Sequence, residues 1–385
     1  MRALFLTNNY LDGRTGGSIA SLGLLKIFAD IYPDCVLIFP SRPDAKGPDF
    51  NDGVQMIPCP DTRPRWSKGL DMYRGIIHRF REVYSRTMKE FDPDIVIFDS
   101  CIASSGLIGL IFQNKPKIIT IHHNVETDYF LANKPSVLYR LPYYRMLVKA
   151  EKDAFLKSDL NITFTHSDSE KLARMYSKGD HIKSIVAGIF DPNFNLSNEP
   201  NSKKVKDSEG PFKIIITGNL SFPQSEQSIS EFIENYFPAL SDIGVNCRLT
   251  IAGRNPGSRL RKICQYEKNV VLQANVPDLD NLISDADMYI CPVDRGSGIK
   301  LRILDAFRLG KHVLAHEESS KGFEEFVRRG FMVIYKDKDS FLTGFLKTRE
   351  LKHSEEAIKQ LYKENFSAEK VGSMIRTALL KEGLL

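Results

Sequence analysis

Residues 286–315, ADMYICPVDRGSGIKLRILDAFRLGKHVLA, decide how the chain folds. The apolar run from Met288 to Cys291 predicts a buried strand, and Gly296-Ser297-Gly298 predicts a turn. Apolar residues at helical spacing then predict a helix from about Ile299 to Leu309, stopped by Gly310. A second buried strand is expected from His312 to Ala315. The stretch therefore reads as one βαβ unit in which a glycine loop feeds the start of a helix.

The first amides of a helix have no partner within it, and the aligned peptide dipoles place positive character there. Lys300 and Arg302 are expected in that first turn, where the dipole disfavours a cation by roughly 0.3–1 kcal/mol each. An anion offsets both penalties, and a phosphate is the usual occupant of a glycine loop followed by a helix. Gly296, Ser297, Gly298 and Ile299 supply the loop backbone. Asp305, one turn on, presents a carboxylate able to accept sugar hydroxyls, or else to pair at i,i+3 with Arg302 or Arg308.

The string GSGIKLRILDAFRLGKHVLA resembles the donor-binding signature of group 1 glycosyltransferases, retaining enzymes of the GT-B type. In that signature two glutamates flank a seven-residue spacer. Ser297 stands in place of the first and Asp305 in place of the second, which in the family binds ribose hydroxyls. The Gly-Ser-Gly-x-Lys-x-Arg form is similar to a branch whose basic residues hold the donor diphosphate. The resemblance implies an α/β chain with two Rossmann-like domains whose parallel sheets face a central cleft, and retention of anomeric configuration.

Working outward, Phe331 to Tyr335 reads as a further strand, and Ser354 to Tyr362 and Ala368 to Leu380 as terminal helices. The resemblance implies that the last of these returns to the first domain. Upstream, the strand Phe212 to Thr217 leads into Gly218-Asn219-Leu220. In many relatives this turn carries an arginine and a lysine for the diphosphate; here both are missing, in keeping with Lys300 and Arg302 supplying the charge. The strand Arg248 to Ala252 ends in Gly253-Arg254, which makes Arg254 a further phosphate candidate. Val276 lies in a segment resembling the one whose backbone meets the nucleobase. Residues 191–211, rich in Asn, Ser, Pro and Lys without apolar periodicity, read as a linker. The expected domains are 1–190 and 212–365, with 366–385 crossing back.

The N-terminal half begins similarly. The strand Ala3 to Thr7 precedes Gly16-Gly17 and a helix from Ser18 to about Ala29, a second anion cradle at the carboxyl end of a strand. Gly16 and Gly17 match the family glycines lying against donor phosphates and acceptor. A strand over Cys35 to Phe39 is followed by a predicted loop to about residue 61. FDPDIVIFDS holds the strand Ile95 to Phe98, and a helix is expected near Ser104 to Phe112. His122, His123, Asn124 and Glu126 follow the strand Ile118 to Ile121. Histidine's near-neutral pKa suits contact with a sugar hydroxyl or a diphosphate, and in the family a histidine here approaches the donor sugar. Which of the two does so stays open at this level.

Residues 62–89 carry eight Lys/Arg against two acids, more than the chain's net charge of +5. Trp66, Leu70, Tyr73, Ile77, Phe80 and Tyr84 recur at alternating steps of four and three, with Arg74, Arg79 and Arg81 on the flanks. This fits a core-packed helix with a solvated basic face, or a surface that meets anionic lipid or a lipid-phosphate acceptor. No groove-reading motif accompanies the charge, so nucleic acid is not an expected partner.

The length suits two domains, and 42% hydrophobic residues suffice for two cores. Six scattered cysteines show neither metal spacing nor a disulfide framework. Asp92-Pro93-Asp94 and Asp278-Leu279-Asp280 read as a turn and a helix cap, so no metal or cofactor is expected. The opening apolar run is short for a signal peptide, and no eighteen-residue apolar run occurs, which points to a cytoplasmic chain peripheral to a membrane at most. The expected activity is transfer of a sugar from a nucleotide-sugar donor to a saccharide or lipid-linked acceptor in surface polysaccharide or glycan assembly. The alternatives are a nucleotide-sugar epimerase on the same plan and a non-catalytic sugar-nucleotide-binding protein.

Overall fold

A computed structural model describes residues 1–13, 15–41, 53–60, 80–110, 112–132, 137–177, 182–190, 210–296, 298–351 and 354–385. The chain divides into two compact units, Met1–Asn193 with Phe366–Leu385, and Phe194–Asn365.

The first unit is built on a seven-stranded sheet in the order β3-β2-β1-β4-β5-β6-β7. The strands are β1 Arg2–Thr7, β2 Asp34–Ser41, β3 Val54–Pro60, β4 Ile95–Asp99, β5 Lys117–His122, β6 Leu160–Thr163 and β7 Ser184–Val186. All neighbours pair in parallel. Ala3 to Leu6 and Ile95 to Phe98 are almost fully buried, the continuous apolar run that a sheet covered on both faces demands. Leu4, Val36, Ile38, Val96 and Phe98 form one core with Phe80, Tyr84 and Met88.

The second unit holds a six-stranded parallel sheet in the order β10-β9-β8-β11-β12-β13. Its strands are β8 Phe212–Asn219, β9 Cys247–Arg254, β10 Val270–Ala274, β11 Met288–Cys291, β12 Val313–His316 and β13 Met332–Tyr335. Ile214, Ile216, Leu249, Ile251 and Ile290 pack on Ile229, Phe232 and Ile233 of the helix Pro223–Asn235. In each sheet the order in which strands are added reverses once, between β1 and β4 and between β8 and β11. Ligands bind open α/β sheets at the carboxyl ends of strands beside such a reversal.

Several local expectations change. The predicted loop before residue 61 contains the edge strand β3. The helix expected near Ser104 to Phe112 is a single turn, Cys101–Ser104, because Gly106 takes the chain into a left-handed turn at φ 74°. The first helix begins earlier than predicted, at Gly16, and runs to Ile31.

Phe366–Leu385 groups with the first unit. Tyr32 donates its hydroxyl to the Leu384 carbonyl at 2.6 Å, Arg376 donates to Asp30 O at 3.2 Å, and Lys183 pairs with Glu382. The predicted linker lies outside the described residues except for Gly210 and Pro211.

Candidate functional site

In the second unit the predicted glycine loop and helix stand at the carboxyl end of β11. The helix runs Leu301–Arg308, shorter than predicted, so Lys300 is its N-cap rather than a member of its first turn. Lys300 is 9% exposed, and its Nζ donates to Gly298 O at 3.2 Å, folding the ammonium back over the turn. Arg302 reaches the other way, across the sheet reversal. Its Nη1 donates to Thr217 O at 3.3 Å and its Nη2 to Ser225 Oγ at 3.0 Å. Among the described residues no carboxylate forms an ion pair with it, so a half-buried guanidinium is held by neutral oxygens alone.

The guanidinium lies against the backbone of Gly218, which adopts φ 150° at the carboxyl end of β8. One strand over, a Cβ on Gly253 would stand 1.9 Å from Gly218 O, so both strand ends approach too closely for a side chain. Asn219 turns its Oδ1 to Ser221, taking a donor from its amide at 3.2 Å and from its hydroxyl at 2.8 Å. Arg254 is exposed at the end of β9, and Val276 is half-buried just past β10. Asp305 accepts from Arg308 at 3.2 Å, and Arg308 grips Asp280 through both terminal nitrogens at 2.6 and 2.7 Å. The i,i+3 pairing weighed for Asp305 is therefore present, with Arg308 as the partner.

The turn before the helix is pinned to the helix Pro223–Asn235. Ser228 donates to Asp294 at 2.7 Å, and Arg295 pairs with Asp294 at 2.6 Å and with Glu231 at 3.0 Å. Gly296 sits at φ 93° with its α-carbon facing Gln224. Ser297 lies outside the described residues, as do Trp66, Arg74 and Arg79. Arg81 opens the helix Arg81–Glu90 as an exposed residue, while Phe80, Tyr84 and Met88 of the same stripe belong to the core.

The first unit gathers a second polar cluster at its own sheet reversal. Asp99, the last residue of β4, is fully buried. It receives Thr7 Oγ1 at 2.7 Å, Ser21 Oγ at 2.5 Å and His123 Nε2 at 2.5 Å. Burial pushes the Asp99 carboxyl up, but the His123 charge and these donors outweigh it and hold it below the usual carboxylate range. Burial likewise pulls the His123 imidazole down, and the adjoining Asp99 charge and hydrogen bond carry it above the usual value. His123 is thus the imidazole with a charged partner. His122 ends β5, packs edge-on to Phe155 and meets Asn161 Oδ1 at 2.9 Å, and burial pushes it down to about 4. At neutral pH His122 is an uncharged core group.

Gly16 and Gly17 form the first turn of the helix Gly16–Ile31, capped by Thr15. A Cβ on Gly17 would stand 3.1 Å from Asn9 Oδ1, and Asn9 Nδ2 donates to Ser21 Oγ at 2.9 Å. The glycine turn and the Asp99 cluster are therefore one network. Beside it, burial raises Glu126 to about 7. The fully buried Glu151 accepts from the Glu126 amide at 2.6 Å, from Thr127 at 3.0 Å and from Tyr176 at 2.8 Å. Asp99, Thr7, Ser21, Glu151, Ser225 and Gln224 escape a reading of the sequence. A polar residue ending an apolar strand is the available signal for Asp99, and it acquires meaning once β4 is known to flank the reversal.

Residues 211–362 match the family model described as glycosyl transferases group 1. Over this stretch the chain is similar to that family. The solved structures agree on the fold of the whole chain. Sucrose-phosphate synthase from Thermosynechococcus elongatus superimposes with a TM-score of 0.71 at 13% identity, covering 99% of each chain. Anabaena HepE in complex with UDP does so at 0.63 and 14% identity, covering 99% of this chain and 100% of that one. An uncharacterized 44.6 kDa protein in the cps region of Klebsiella pneumoniae is 26% identical over 253 residues. That match spans 63% of this chain and 61% of the relative, less than two thirds of the latter's length. The matched stretch contains the whole Lys300–Arg302 site, and both units have the Rossmann-like parallel sheets of the GT-B plan.

Proposed function

We propose that the chain transfers a sugar from a nucleotide-sugar donor to a saccharide or lipid-linked acceptor in surface polysaccharide or glycan assembly. The observation that carries this is Arg302, a half-buried cation held by Thr217 O and Ser225 Oγ beside the N-cap Lys300. Two cations at a helix start lower the energy of a diphosphate there, and more so as it departs and gains charge. The donor is placed on the second unit, with Lys300, Arg302 and the loop amides doing what a divalent ion does in other transferases. Retention of configuration and metal independence belong to the same reading. In the first unit His123, whose imidazole the Asp99 charge and hydrogen bond raise above its usual value, is the candidate to meet a sugar hydroxyl or an anionic group.

The HepE–UDP complex and the Klebsiella relative's cps region support the donor class and the polymer setting. A thermal-shift screen against UDP, GDP, ADP and CMP, followed by donor hydrolysis and transfer assays with lipid extracts, tests it. Stabilisation by one diphosphate, with its release from the matching sugar donor only when acceptor is added, is the expected result. Donor consumption without acceptor indicates an epimerase, and binding without release indicates a non-catalytic protein; either overturns transfer.

A further inference from the structure

The helix Val137–Lys157 runs 21 residues along the first unit. Its inner side, with Met146, Leu147, Ala150, Ala154 and Phe155, is buried. On the outer side Leu141, Arg145, Lys149, Lys152 and Leu156 are all exposed. Steps of four, four, three and four place them on one stripe, about 22 Å long at the helical rise. Leu141 is 57% exposed and Leu156 38%, so the stripe has an apolar side chain at each end and three cations between them.

The charge on this stripe is not neutralised within the unit. Asp153, the nearby acid of the same helix, pairs with Lys157 at 3.1 Å, and Glu151 is fully buried. Arg145, Lys149 and Lys152 form no ion pair with a described residue. Like charges three and four positions apart on a helix repel, so the stripe is destabilised until something negative covers it. The adjoining surface adds no acid, because residues 100–114, SCIASSGLIGLIFQN, are uncharged. That segment meets the helix at a cavity of about 230 Å³, lined by Ile108, Gly109 and Leu110 on one side and by Lys149, Asp153 and Lys157 on the other.

A straight stripe fits a plane along its whole length. Lysine and arginine stems lie along an interface with their heads among phosphates, and leucines at the ends enter the acyl boundary. A nucleic-acid backbone would engage the cations and leave both leucines in water. We propose that this face of the first unit docks on a bilayer containing anionic phospholipid, with the helix in the plane of the headgroups. The cavity beside Lys149 is the recess for a headgroup. The inference goes beyond the transfer reading and does not rest on it.

The test sediments full-length protein, without nucleotide or acceptor, with vesicles of phosphatidylcholine alone and of phosphatidylcholine mixed with phosphatidylglycerol, over a range of salt. The variants are the triple Arg145→Glu/Lys149→Glu/Lys152→Glu and the pair Leu141→Ser/Leu156→Ser. A charge-matched control reverses exposed residues of the second unit, Lys262→Glu/Lys268→Glu/Lys347→Glu. All these side chains are exposed, and unchanged melting temperatures verify folding. Each cation near an anionic membrane is worth about fivefold in partitioning, so the helix triple is expected to lose roughly a hundredfold or more. The leucine pair loses several-fold and the control little, while wild-type binding is confined to anionic vesicles and weakens with salt. Equal loss in the control, equal binding to neutral vesicles, a leucine pair that binds like wild type, or no wild-type binding overturns the proposal. So does a helix triple that binds like wild type; loss on reversing Arg74 and Arg79 then gives the contact to residues 62–89. Where vesicles fail, a dimer dissociated by the triple assigns the face to a second copy, and duplex DNA binding lost in the triple assigns it to nucleic acid. Because no nucleotide is present, failure here leaves the transfer reading untouched, and failure of transfer leaves this one.

Discussion

Arg302 lays its guanidinium against the backbone of Gly218, so that a Cβ built there would stand 2.6 Å from Nη1. The glycine also holds φ 150°, a backbone state that side chains rarely adopt. Three strands of the sheet and the helices between them separate the two in sequence, yet they set one another's geometry. Gly218→Ala is expected to displace the guanidinium from Thr217 O and to cost about 1–3 kcal/mol of stability. Urea unfolding measures the second effect. Calorimetric titration with a nucleoside diphosphate measures the first, and unchanged affinity with the expected destabilisation would separate Arg302 from ligand binding.

Lys300→Ala removes the N-cap cation. A charge-assisted phosphate contact is worth roughly 1.5–3 kcal/mol, so donor KM rises and turnover falls by about tenfold or more. Steady-state kinetics with the donor selected by thermal shift decide it, and wild-type constants would exclude Lys300 from the site.

Asp99→Asn leaves Thr7, Ser21 and His123 without a charged acceptor. Removing one member of a buried ionic pair costs about 3 kcal/mol. The sign of the pH dependence follows from both partners. Asp99, lowered in the fold, contributes stability above its ordinary value and loses it as pH falls through the folded value. His123, raised in the fold, contributes below its ordinary value and loses it as pH rises through the folded one. The wild-type advantage over Asp99→Asn is therefore largest between the ordinary carboxylate and imidazole values and shrinks in alkali. Denaturant midpoints across pH check this; a gap independent of pH would contradict an ionic pair.

Glu126 is shifted the other way. With its carboxyl raised to about 7, the folded state binds a proton that the unfolded chain has already released. Its contribution is present below the ordinary value of 4.5 and is lost as pH rises to about 7. Glu126→Gln is expected to remove that decline and to be more stable than wild type above neutrality. Melting curves at successive pH values test it, and parallel profiles for the two proteins would refute it.

Much of the architecture was legible because parallel strands must be apolar along their whole length when both faces are covered. The runs ending at Thr7, Phe98, Thr217 and Cys291 gave the strands, and Gly298 and Gly310 bracketed the 301–308 helix. Strand β3 was hidden because VQMIPCP carries two prolines and lies on an edge, where missing amides are tolerated. The single turn Cys101–Ser104 was overestimated because local apolar content looks the same in a helix and in buried turns.

By itself the sequence determined where strands, glycine turns and helix starts fall, since backbone sterics and hydrophobic periodicity act over a few residues. It therefore placed Lys300 and Arg302 beside a glycine loop and His122 and His123 at the end of a strand. Only the tertiary structure decided which groups face one another. It gave Asp99 to His123 across the β1–β4 reversal, sent His122 into the core, and brought Gly218 under Arg302 with Gln224 beside Gly296. Those contacts join residues far apart in the chain through sheet order, and side-chain pairing at that range is set by packing rather than by local pattern.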